Sequence, residues 1–191
     1  MPKIGMEPIR RSALVQATIA EIGAAGNLDV TVGQIAKRAG MSTALAHHYF
    51  GGKNQIFLAA MRHILRQFRA EILQAFGQAS TPFARASAIV ESSFAPSCFA
   101  PATISAWMTL YAQSQSSVET KRLLRLYQRR LHSNLTHALR QLSKHPERDA
   151  QTMAALIDGL YLRAALSSCC DPKEACDAAL QTLQTLIESD Q

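Results

Sequence analysis

Apolar residues recur at helical spacing from one end of the chain to the other, and no stretch alternates apolar and polar positions as a half-buried strand would. The pattern predicts an all-α protein of about nine helices. In the first, Pro8 to Ala25, the residues Ile9, Ala13, Leu14, Ala17 and Ile22 form the expected buried stripe, and Gly26-Asn27 supplies the C-terminal stop. Thr31 with Gln34 three residues on makes a capping box, so a second helix starts there with Ile35, Ala36 and Ala39 inward. Gly40 ends it and Ser42 caps a third, short helix from Thr43 to Tyr49. A fourth starts near Lys53 and carries Phe57, Met61, Ile64, Leu65, Phe68 and Ile72 to about Phe76. Pro82, Pro96, Pro101, Pro146 and Pro172 divide the remainder into helices near 83–95, 102–114, 118–144, 147–169 and 173–188, because proline suits a first turn and breaks an interior.

Two short helices joined by a glycine turn, the second beginning with polar residues, are the pattern of a helix-turn-helix. Ala36 is small where the two helices cross, and Ala46 stands where such motifs bury a larger aliphatic residue. The second helix is too short to build a core and presents Thr43, His47 and His48, which suits a major groove. Thr43, Ala44 and His47 are the candidates for base edges, since hydroxyl, methyl and imidazole groups all have partners there. Tyr49 and Lys53 are placed to bind phosphate, with Thr31 and Ser42 at the helix starts. Arg10 and Arg11 reach the DNA backbone or minor groove from the N-terminal arm, His48 either packs inward or touches DNA, and Phe50 is expected in the core. A DNA-binding domain over 1–53 and a second domain over 54–191 follow.

Charge sharpens this picture. Of 191 residues 18% are charged and 48% are apolar, so the chain folds instead of staying disordered. Residues 1–145 hold 17 Lys/Arg against 6 Asp/Glu, whereas 146–191 hold 3 against 8, which suits a polyanionic partner for the basic part. The run Lys121, Arg122, Arg125, Arg129 and Arg130 reads as a solvated helix face. No apolar run approaches the roughly 18 residues that span a bilayer, so a cytoplasmic protein is expected. The cysteines Cys98, Cys169, Cys170 and Cys176 lack CxxC pairing and read as thiols, and no metal or cofactor is expected.

The second domain carries a different chemistry. Trp107 and Tyr111 lie four apart on one helix, with Phe94 and Phe99 nearby in sequence. Asp158 and Tyr161 interrupt the apolar run from Met153 to Leu166, where a carboxylate needs a reason. Rings around an acidic group suit a quaternary ammonium ligand. A helical enzyme is a poor alternative, because no Ser/His/Asp set, metal-ligand spacing or glycine-rich phosphate loop occurs. An architectural DNA binder would not need the residues after the head.

The segment Thr31 to Lys53, ending Tyr49-Phe50-Gly51-Gly52-Lys53, resembles the TetR family of repressors, and the resemblance covers the whole chain. Pro8-Ile9-Arg10-Arg11, Ile104-Ser105-Ala106-Trp107 and the run Ala155 to Ser167 resemble the choline-responsive repressors of glycine betaine synthesis within it. Tyr161, where tryptophan is expected, and the Cys169-Cys170 pair depart from that branch. The resemblance implies a homodimer joined through its last two helices, a palindromic operator near genes for choline uptake and oxidation, and choline as inducer. The alternative is a repressor of the same type answering a different small cationic or apolar ligand.

Overall fold

The computed structural model describes residues 6–26, 29–167 and 171–189, so Asn27, Cys169 and Cys170 lie outside the described residues. It is all-helical there: α1 (Met6–Ala25), α2 (Val32–Arg38), α3 (Thr43–Phe50), α4 (Lys53–Gln78), α5 (Pro82–Ser93), a 3-10 turn (Pro96–Phe99), α6 (Pro101–Gln113), α7 (Val118–Leu139), α8 (Pro146–Leu166) and α9 (Pro172–Glu188). None of the helices described is long and apolar enough to cross a membrane. Proline opens α5, α6, α8 and α9, where its missing N–H is one the first turn leaves unpaired in any case.

Local signals fix the ends of the short helices. Thr31 Oγ1 accepts from the Gln34 N–H at 3.1 Å while Gln34 Oε1 accepts from the Thr31 N–H at 2.7 Å, closing the capping box. Gly40 turns the chain out of α2 at φ 66°, a conformation costly for any residue with a Cβ. The 3-10 turn and the end of α7 at Leu139 differ from the pattern reading. The chain leaves α7 early, and Ser143 then donates to the Asp149 carboxylate, which also pairs with Arg148 at 2.8 Å. Asp149 is wholly buried, and those two partners compensate its charge.

The helices group into two compact units, one of residues 6–66 and 100–121, the other of 67–99 and 122–189. In the first, α1 packs on α2 and α6, and α2 on α3. Leu14, Ile22, Ile35, Ala36, Ala46, Ile56, Phe57 and Met61 are fully buried there. Ile9 is 62% exposed, contrary to the stripe drawn for α1. Five residues before Leu14, it stands about 140° away around the helix, and Val15 and Thr18 fill the inner face instead. α1 meets α6 closely: a Cβ on Gly23 would lie 2.6 Å from Ala102 Cβ and 2.9 Å from its Cα, so only glycine permits this crossing.

In the second unit α8 pairs with α9, and α5 lies against both. Met153, Ile157, Tyr161 and Ala164 of α8 and Ala175, Ala179, Leu183 and Ile187 of α9 are buried at helical spacing. Leu156, Leu160, Leu180 and Leu186 remain half-exposed on the same two helices.

Candidate functional site

The recognition-type helix α3 starts at Ser42, whose Oγ accepts from the Leu45 N–H at 3.2 Å. Its inner contact is made by Ala46, wholly buried despite its size. Thr43, Ala44, His47 and His48 are exposed, so the helix spends one small residue on packing and leaves its polar side chains outward. Gly51 closes α3 at φ 78°, the region glycine reaches cheaply, and its N–H returns to the His47 carbonyl. His47 Nδ1 in turn donates to the Gly51 carbonyl at 3.1 Å. Two residues later Lys53 opens α4, so Tyr49, the turn and a helix N-terminus stand together, an arrangement suited to phosphate.

Helix α1 holds this motif in place by three means. Arg11 lies 5.6 Å from the Tyr49 ring centre and 5.0 Å from that of Phe50, with its Nε on Glu7 at 2.9 Å. Phe50 is half-buried beneath this guanidinium instead of lying in the core. Glu21 pairs with Arg38 at the end of α2. The Gln16 amide donates to His63 Nε2 of α4 at 2.9 Å, and burial followed by the Arg66 charge lowers the His63 pKa, which favours the neutral ring that accepts this bond.

The second unit holds a carboxylate and a set of rings. The Tyr127 hydroxyl of α7 donates to Asp158 Oδ1 at 3.0 Å. Burial raises the Asp158 pKa, and the Tyr127 bond opposes that shift. Phe68 stands with its ring centre 6.5 Å from that of Tyr127. Asp158 also lines an open groove of about 410 Å³ with Gln128, Arg129, Leu131 and Gln151. Phe94 and Phe99 stack at 6.5 Å, Phe99 meets Tyr161 at 5.1 Å, and the Tyr161 hydroxyl donates to the Cys98 carbonyl at 2.9 Å. Burial above all pushes the Cys98 thiol up to about 11, so it is a protonated, unreactive group. Among the described residues no set of three metal-ligating side chains comes together.

Residues 14–60 match the family model for bacterial regulatory proteins of the tetR family, and residues 82–188 match the BetI-type transcriptional repressor, C-terminal. The chain belongs to the TetR family, in its BetI-type branch. The HTH-type transcriptional regulator BetI of Brucella anthropi is 54% identical over 170 residues, covering 88% of each chain. A transcriptional regulator from Rhodococcus sp. Rha1 shares the fold at TM-score 0.83 and 18% identity, covering 94% of this chain and 96% of that one. A regulator from Saccharomonospora viridis, solved in complex with choline, does so at 0.78 and 18%, over 91% and 95%. This TetR-family protein is a DNA-binding transcriptional repressor.

In the TetR-family chain the DNA-directed residues read from sequence sit together around α3 and the start of α4, with Arg10 and Arg11 on α1. Phe94, Phe99, Asp158 and Tyr161 belong to the second unit, whereas Trp107 and Tyr111 form a pair of rings 5.9 Å apart in the first. The sequence reading placed Phe68 only in the apolar stripe of α4 and did not single out Tyr127. Tyr127 stands in a strongly basic helix, 31 residues before its carboxylate partner, and no local spacing signals such a pair.

Proposed function

We propose that the protein is a homodimeric repressor of genes for choline uptake and its oxidation to glycine betaine, released from a palindromic operator by choline. The observation that carries the inducer assignment is the partly buried carboxylate of Asp158, hydrogen-bonded by Tyr127 within the region that matches the BetI-type C-terminal domain. A trimethylammonium group donates no strong hydrogen bond, so its recognition needs ring faces and a negative charge, each ring contributing about 0.5–2 kcal/mol. Asp158 supplies the charge, and Tyr127, Phe68, Phe99 and Tyr161 supply rings in the same unit. The choline bound by the Saccharomonospora viridis regulator supports the same ligand class.

Thr43, Ala44 and His47 read bases; Arg10, Thr31, Ser42, His48, Tyr49 and Lys53 meet the backbone; Arg11 acts through the rings it covers. For the dimer, Leu156, Leu160 and Leu180 are the seam, since Ile157, Ala164, Leu183 and Ile187 are already buried within one chain. Choline releases DNA only if it binds better to the conformation with misplaced recognition helices, and a coupling of about 1–3 kcal/mol lowers operator affinity by roughly 5- to 150-fold.

Footprinting upstream of the protein's own gene, with and without choline, together with calorimetry, tests both halves. Choline binding that is lost in Asp158→Asn, with operator binding intact, is the expected result. Trp107→Ala reports separately whether the α6 rings take part. Operator binding that ignores choline would remove choline and leave the repressor, answering another small cationic or apolar ligand.

A further inference from the structure

We propose that His47 reads an exocyclic amino group, adenine N6 or cytosine N4, in the major groove of each operator half-site. The inference rests on α3 being the recognition helix. The Gly51 carbonyl lies 3.1 Å from His47 Nδ1, and a carbonyl oxygen only accepts, so Nδ1 carries the hydrogen. In the neutral ring Nε2 then holds the lone pair and is an acceptor.

The clamp that sets this tautomer is doubled. The Gly51 N–H bonds the His47 carbonyl, and the His47 side chain bonds the Gly51 carbonyl, with the turn held at φ 78°. An acceptor nitrogen finds no partner in a phosphate oxygen, in guanine N7 and O6, or in thymine O4, all of which accept as well. Only the amino groups of adenine and cytosine donate in the major groove. Thr43, one turn earlier on the exposed face, has a hydroxyl that both donates and accepts, and Ala44 offers only a methyl group. Of these three residues His47 alone makes a hydrogen bond of a single sense, so discrimination between bases concentrates there.

The test uses full-length protein and the footprinted operator. Each adenine is replaced in turn by purine, which lacks the N6 amino group, and each cytosine by 2-pyrimidinone, which lacks the N4 amino group. One position per half-site should cost the wild type about 5- to 150-fold in affinity, and the same replacement should cost His47→Ala nothing. His47→Lys, which only donates, should instead gain affinity when that base pair presents guanine to it. Specific binding by the wild type with no position whose loss vanishes in His47→Ala overturns the inference and leaves the DNA-binding reading standing. A wild type that binds no DNA specifically overturns both.

Discussion

Gly23 is the position where one methyl group has the most calculable effect. Gly23→Ala places a Cβ 2.6 Å from Ala102 Cβ, 2.9 Å from its Cα and 3.2 Å from its backbone nitrogen. Carbon atoms in contact rest about 3.5–4.0 Å apart, so α1 and α6 must separate by about an ångström at their crossing. Two of the three obstructing atoms are backbone and cannot rotate away, which puts the overpacking cost in the upper half of the usual range, about 2–3 kcal/mol. Alanine in a helix interior returns about 1 kcal/mol over glycine. The net loss is about 1–2 kcal/mol, which lowers Tm by about 2–8 °C in a chain of this length. Gly77 has nothing within 4 Å of its own would-be Cβ, so Gly77→Ala should leave Tm level or raise it. Thermal denaturation of both variants beside the wild type decides the matter, and operator titration should show weaker binding for Gly23→Ala, since α1 positions the helix-turn-helix. A Gly23→Ala protein as stable as Gly77→Ala would refute the close crossing and the role given to it.

Lys53→Ala should weaken binding to every duplex alike and flatten the dependence of log K on log salt by about 0.9, measured by anisotropy titration across ionic strengths. An unchanged slope would take Lys53 off the backbone. Because burial raises the Asp158 pKa, its carboxylate forms only as pH climbs above the ordinary range near 4, so choline affinity should rise through that interval and then level off, with protons released on binding below the plateau. Asp158→Asn should bind choline weakly and without this pH dependence in calorimetry. In stability the sign is opposite: a raised carboxyl pKa means that the ionised form destabilises the fold, an effect relieved as pH falls through the folded value. Gly159 is exposed on α8 with nothing within 4 Å of an added Cβ, so Gly159→Trp should leave the single chain folded by circular dichroism and shift sedimentation from dimer to monomer. A dimer that tolerates tryptophan there would move the interface off this part of α8.

Several features decided within about four residues along the chain could be read before any fold was known. The capping box at Thr31 and Gln34, the glycine stop at Gly40 and the prolines opening α5, α6, α8 and α9 are local matters of hydrogen-bond reach and allowed φ, and each is legible as written. The outward polar side of α3 was legible for the same reason, because a helix this short has only Ala46 to bury. Periodicity marks a stripe but not which part of it a neighbour covers, and so Ile9 stands in solvent and Phe50 lies under Arg11. In the second unit the sequence named Asp158, Tyr161, Phe94 and Phe99, and tertiary structure decided which side chains they meet. Asp158 meets Tyr127 across 31 residues, Tyr161 meets Cys98 across 63, and the crossing of Gly23 with Ala102 joins two helices with four others between them in sequence. Such pairings depend on where packed helices bring distant side chains, and packing is a property of surfaces that form only once the helices have met.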